Sequence, residues 1–133
     1  DEEYYRDLEK FVGADEIKAL IIDPSAASFI TLIKKRGRFK VQKAKNDVLQ
    51  GIRNTSSAIK QKRILYNDCC KHTFEELAAY CWDPKASERG EDKPLKEHDD
   101  HMDADRYFVN TILYNRTPLQ AVKSLPVRRV GNV

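Results

Sequence analysis

"IKALIIDPSAASF", residues 17–29, decides how this chain is to be read. Ile17 to Ile22, interrupted by Lys18, is a short apolar run, the pattern of a buried strand. The run ends at Asp23. Pro24 cannot donate to a ladder and turns the chain, and Ser25 is placed to cap a helix carrying Phe29, Ile30, Leu32 and Ile33 as far as Gly37. A buried strand, a sharp turn and a helix make the basic unit of an α/β protein, with Asp23 at the carboxyl end of the strand.

The flanking segments continue the alternation. Upstream, "EEYYRDLEKFV" sets Tyr4, Tyr5, Leu8, Phe11 and Val12 at helical spacing, and Gly13 ends that helix. Downstream, "RFKVQKAK" reads as a strand alternating Phe39 and Val41 against a basic edge. "NDVLQGIRNTSSAI" offers Val48, Leu49, Ile52 and Ile59 on one helical face, with Asn46 or Asp47 as cap. "RILYND" reads as a third strand. Thr73 and Glu76 form a capping-box pattern ahead of a helix bearing Phe74, Leu77, Ala78 and Cys81. Residues 83–98 are polar, with two prolines and a glycine, and read as loop. A last helix begins near Asp99 and carries Met102, Val109, Ile112 and Leu113. Residues 1–116 are expected to form the domain and 117–133 a C-terminal extension. Only three strands are visible, whereas an open sheet usually has about five or six. Opening on Asp1, straight into a helix, suggests a piece of a longer chain, although a cleaved tag looks the same.

At 133 residues, 41% hydrophobic and 34% charged, the chain fits one soluble globular domain. No apolar run approaches the roughly 18 residues of a membrane span, and no secretory leader is evident. Cys69, Cys70 and Cys81 follow no framework spacing, so a reducing cytosol is expected. Zinc held by them with His72 or His101 would lack any paired CxxC.

The net charge of +3 conceals strong segregation. Residues 34–63 carry eleven bases and one acid, and residues 64–105 carry twelve acids and five bases. A basic block is either a solvated face or a surface for nucleic-acid phosphate. The acids concentrate in "KEHDDHMDADRY", residues 96–107. Asp99, Asp100 and Asp103 share one helix turn, more carboxylates than capping a helix requires. A hard divalent cation, Mg²⁺ or Mn²⁺, would relieve their repulsion. Two such ions about 4 Å apart can activate water and stabilise a leaving oxygen in phosphodiester cleavage. Acids for metal beside bases for phosphate is the division of labour a metal nuclease needs. No GxSxG motif and no cysteine with an evident base supports a covalent nucleophile.

Taken in order, "IIDPSAASF", "KAKNDVLQGIR", "ELAAYCWD" and "GEDKPLKEHDDHMDADRY" resemble the C-terminal nuclease domain of the terminase large subunit of tailed phages and prophages. The similarity runs from about residue 3 to about residue 113. The family's last motif reads D-H-x-M-D-A-L-R-Y. Asp99 to Tyr107 fall on it in order, with Asp100 in place of the histidine and Asp105 in place of the leucine. Other branches of the family carry a carboxylate at the first of these positions.

The resemblance implies an RNase H-like mixed sheet flanked by helices, incomplete because its leading strands lie upstream of residue 1. It implies an endonuclease that cuts concatemeric phage DNA during packaging in the bacterial host cytoplasm, with Mg²⁺ or Mn²⁺ as cofactor. Catalysis falls to Asp23 and Asp100, and metal binding to these with Asp99 and Asp103. The family's first-strand acid would precede residue 1, so this chain alone is expected to cut little or not at all. Double-stranded DNA is the implied substrate, with Lys45, then Lys43 and Lys40, as backbone contacts. An ATPase domain in the same chain, a terminase small subunit and a portal are the implied partners. The rival readings are a non-catalytic DNA-binding or assembly module and another RNase H-like nuclease such as a resolvase.

Overall fold

The computed structural model describes residues 1–115; the expected extension at 117–133 lies outside the described residues. Two short parallel strands form the sheet: β1 (Leu20–Ile22) beside β2 (Val41–Lys43), in the register Leu20–Val41, Ile21–Gln42 and Ile22–Lys43. Helix α1 (Glu2–Val12) precedes β1, and α2 (Ala27–Arg36) makes the crossover between the strands. After β2 come α3 (Val48–Lys60), α4 (Lys71–Ala79), a short α5 (Pro84–Glu88) and α6 (Asp100–Phe108). Helix α6 runs directly into a π-helical turn over Val109–Leu113. The α/β class expected from the sequence stands.

One core joins α1 and α2 to the sheet. Tyr5, Val12, Ile33 and Phe39 are buried together, and Leu20, Ile22, Leu32 and Val41 pack against them. Side chains alternate along a strand, so Ile21 faces the other side from Leu20 and Ile22. The helical stripe of α1 is only partly covered: Tyr5 and Val12 are buried, whereas Tyr4 and Phe11 are exposed. Gly13 (φ 57°) and Gly37 (φ 75°) close α1 and α2 in backbone regions that favour glycine.

Helix α3 packs on α6 through its smallest residues. Gly51 and Ala58 are its buried positions, while Val48, Leu49, Ile52 and Ile59 are half-buried. Asp47 caps α3, accepting from the Gln50 backbone N–H at 2.8 Å.

Four local expectations are corrected. "RILYND" is not a strand: Leu65 is 82% exposed, and Tyr66 turns its hydroxyl to Asp105 and its ring edge to Phe74. The end of α3 explains this. Lys62 adopts φ 55° and the Arg63 N–H bonds back to the Ala58 carbonyl, so the segment leads toward α4 and α6. Ser25 does not cap α2. Its N–H instead donates to the Asp23 carboxylate, and the helix starts only after Ala26. Thr73 and Glu76 form no capping box; both lie inside α4 and reach across to α6. The loop 83–98 contains α5, which Asp83 caps with Pro84 in its first turn.

Candidate functional site

Asp23 lies one residue beyond β1, at the carboxyl edge of the sheet, where parallel α/β proteins place their sites. Its Oδ1 accepts from the Ser25 N–H at 2.8 Å, and its Oδ2 accepts from the Tyr107 hydroxyl at 2.6 Å. The Tyr107 bond, followed by the Ser25 N–H, holds the Asp23 carboxyl below its usual range. Asp23 is therefore firmly ionised at neutral pH. The same contact acts on its partner: burial, then the bond to Asp23, pushes the Tyr107 phenol up to about 12.

The Ala44 N–H bonds to the Ile22 carbonyl at 2.8 Å, so the chain leaving β2 runs beside Asp23. Lys43 and Lys45 thus stand at the same edge as Asp23. Lys40 begins the other end of β2, about 10 Å from Lys43 along the strand. The backbone N–H of Lys45 donates to Thr111 Oγ1 at 2.9 Å, and its ammonium donates to the side-chain Oδ1 of Asn115. Two other members of the basic block hold the fold together. Arg36 pairs with Glu2 at 2.6 Å, and Arg38 pairs with Glu9 at 3.4 Å and with the Gly13 carbonyl at 2.6 Å.

Helix α6 supplies the remaining acids. Asp100 and Tyr107 are seven residues apart, which places them on nearly one face across about 10.5 Å of rise. Helical side chains lean toward the N-terminus. Tyr107 therefore reaches back toward Asp103 as it holds Asp23. Asp103 lies between them with both oxygens engaged: Oδ1 with Arg106 at 2.8 Å and Oδ2 with Lys96 at 2.8 Å. Burial alone would raise the Asp103 pKa, but the bonds from Lys96 and Arg106 outweigh it and lower it. Asp99 gives one oxygen to Lys96 at 2.9 Å. Asp100 is exposed, and its carboxylate has no hydrogen bond to a described residue.

Arg106 is the organising residue that sequence reasoning passed over. It is 2% exposed, bonds Asp103 and Asn46, and lays its guanidinium 4.8 Å from the centre of the Tyr107 ring. Glu76 is the second such residue. Its carboxylate accepts from the His101 and Met102 backbone N–H groups at 2.7 and 3.2 Å, where Asp99 makes no side-chain cap. Asp105, in the position of the family's leucine, accepts from the Tyr66 hydroxyl at 2.7 Å; burial nonetheless raises its pKa. The helix thus accommodates the departure with one partner.

Asp23 and Asp100 have the donor chemistry for a hard divalent cation. Each Asp23 oxygen accepts one hydrogen bond and keeps a lone pair for metal. Among the described residues, no three or more His, Cys, Asp or Glu side chains form a group able to hold an ion, whether around Asp23 or around the free cysteines. A hollow of about 400 Å³ lined by Ile52, Tyr80, Cys81, Trp82 and Pro94 is largely apolar and carries no carboxylate, lysine, arginine or histidine. No described helix is long and apolar enough to cross a membrane.

Residues 2–111 match the terminase RNaseH-like domain. The chain belongs to that family. It is similar to the large terminase of a thermophilic bacteriophage in complex with ADP, at 61% identity and a TM-score of 0.81, covering 85% of this chain and 29% of that one. The same phage terminase in complex with ATP-γ-S gives 62% identity and a TM-score of 0.80, covering 84% of this chain and 29% of that one. The chain thus spans less than a third of the terminase it resembles. No curated protein matches. Recognition of a terminase large-subunit domain of RNase H-like fold, made on the ordered motifs, is borne out.

Proposed function

We propose that this domain is the metal-dependent endonuclease of a phage DNA-packaging terminase, cutting concatemeric double-stranded DNA. One observation carries the reading. Tyr107 joins Asp23, at the carboxyl edge of the sheet, to the face of α6 that bears Asp100, with Lys45 beside them. In this reading Asp23 and Asp100 hold Mg²⁺ or Mn²⁺, two ions in the complete site, with further ligands from beyond the described residues. When bound, such ions activate water and stabilise the leaving oxygen. Tyr107 fixes the Asp23 carboxylate and keeps it ionised. Lys43 and Lys45 draw the phosphate backbone to the acid edge. Asp103, committed to Lys96 and Arg106, holds α6 in register and is a ligand only if Lys96 lets go.

The phage terminase complexes with ADP and ATP-γ-S support an ATPase domain working in the same chain. A terminase small subunit, a portal and the host cytoplasm belong to the same proposal. A second reading, a non-catalytic DNA-binding module, is favoured by the absence of a three-ligand group among the described residues. For the same reason the 133-residue chain alone is expected to nick DNA weakly at best.

A plasmid-nicking assay on the protein in its full natural length, with Mg²⁺ or Mn²⁺, separates the two. The nuclease reading expects cutting that Asp23→Ala or Asp100→Ala abolishes while the circular dichroism spectrum is kept. Cutting indifferent to both substitutions would sink it, and DNA binding without any cutting would favour the second reading.

A further inference from the structure

A groove of about 590 Å³ opens where the β2–α3 loop meets α3 and the π-helical turn. Amides line it in series. Gln50 Nε2 donates to Asn54 Oδ1 at 2.9 Å, and Asn54 Nδ2 donates to Asn110 Oδ1 at 2.7 Å. The series leaves the second Nε2–H of Gln50 and the Nδ2 amino group of Asn110 as donors with no hydrogen bond to a described residue. The π-helical turn places Asn110 and Thr111 inward, at 6% and 3% exposure, and such turns often mark functional sites. Thr111 in turn holds the backbone of Lys45, which lines the same groove. Asp47 is the one acid in that lining, and its Oδ1 is occupied by the Gln50 N–H.

Neutral N–H donors beside a lysine suit a sugar–phosphate backbone, whose oxygens accept from amide, tyrosine and lysine groups. Base stacking fits less well, since Tyr114, the one aromatic in the lining, already carries Arg63 over its ring at 4.9 Å. We propose that this groove seats the backbone of one DNA strand beside the acids through neutral hydrogen bonds of Gln50 and Asn110, with Asn54 joining the two. The proposal rests on the nuclease reading and adds to it a component of affinity that salt does not screen. Contacts that displace counterions lose affinity as salt rises, in proportion to the phosphates neutralised. Contacts between neutral groups release no counterion.

The test is the affinity of the protein in its full natural length for a short fluorescent mixed-sequence duplex. It is measured in EDTA, to silence cutting, across about 50 to 200 mM salt. Lys45→Ala should reduce the slope of log Kd against log salt by about one. Gln50→Ala should weaken binding about fivefold at every salt concentration, the effect of one lost hydrogen bond, and leave the slope unchanged. Gln50 is exposed and, among the described residues, its side chain bonds only Asn54, so this variant keeps the test decisive if Asn54→Ala fails to fold. Unchanged affinity in Gln50→Ala, with the Lys45→Ala effect intact, overturns the groove and spares the nuclease reading. A natural protein that fails to bind the duplex at all overturns both.

Discussion

Gly51→Ala should destabilise this chain, although alanine is the better helix former by about 1 kcal/mol. A Cβ on Gly51 would sit 2.3 Å from Arg106 Cγ and 2.7 Å from Cδ. Carbon atoms pack at about 3.5 Å or more, so something must move by about 1.2 Å. The atoms in the way are the root of the side chain, and its head is fixed at 2.8 Å to Asp103 and 3.0 Å to Asn46. Overpacking of this kind costs about 1–3 kcal/mol, and breaking a charge-assisted bond about 1.5–3 more. After the gain in helix propensity, a net loss of about 1.5–5 kcal/mol is expected from these ranges. The diagnostic is a double-mutant cycle followed by urea denaturation. In an Arg106→Ala background the obstructing carbons are gone, and Gly51→Ala should turn neutral or stabilising by up to about 1 kcal/mol. A stabilising Gly51→Ala in the natural chain would refute the reasoning. So would a penalty that persists without the Arg106 side chain.

Two further outcomes follow from the same helix. Glu76→Ala removes the acceptor for two N–H groups that open α6 and should cost about 1 kcal/mol, as loss of an N-cap does. Hydrogen exchange at His101 and Met102 should quicken; unchanged exchange would mean that water caps the helix as well. Tyr107→Phe removes the main cause of the low Asp23 pKa, so the Asp23 midpoint in a carboxyl NMR titration should move up toward 3.8. Because the folded pKa lies below the unfolded one, Asp23 stabilises the fold above that range, and this stability fades as pH falls through the folded value. The variant should have less of it to lose on acidification, and an unmoved midpoint would remove Tyr107 from the account.

How much of this was legible in the sequence depends on how far each signal reaches. Asp23 at a strand end, Asp47 as a cap and Gly37 as a helix stop rest on bonds within a few residues, and all three appear where expected. The Asp83–Pro84 pair signalled α5 just as locally and was overridden by the polarity of its neighbours. "RILYND" and the Thr73–Glu76 box failed for the opposite reason. Their outcome was set by Asp105 and by the start of α6, tens of residues away in sequence, which no local pattern reveals. Arg106 is of the same kind: its burial depends on a glycine in another helix.

The acid cluster shows how the two ranges combine. Its crowding calls for positive charge, and the stretch "KEHDDHMDADRY" contains it, in Lys96 and Arg106. Lys96 bridges Asp99 and Asp103, Arg106 takes the other oxygen of Asp103, and Tyr66 serves Asp105. Burial alone would lower the Lys96 pKa, yet the two aspartates raise it, so the bridge is charged at any physiological pH. Repulsion within the helix is thereby met without a metal, and crowding by itself argues for none. The proposed metal reading rests on the remainder. Asp100 keeps a carboxylate with no described partner, and Tyr107, two turns along the same face, presents the ionised Asp23. An internal bridge that neutralises Asp103 and half of Asp99 thus leaves Asp23 and Asp100 as the carboxylates that the proposed nuclease reading assigns to a cation.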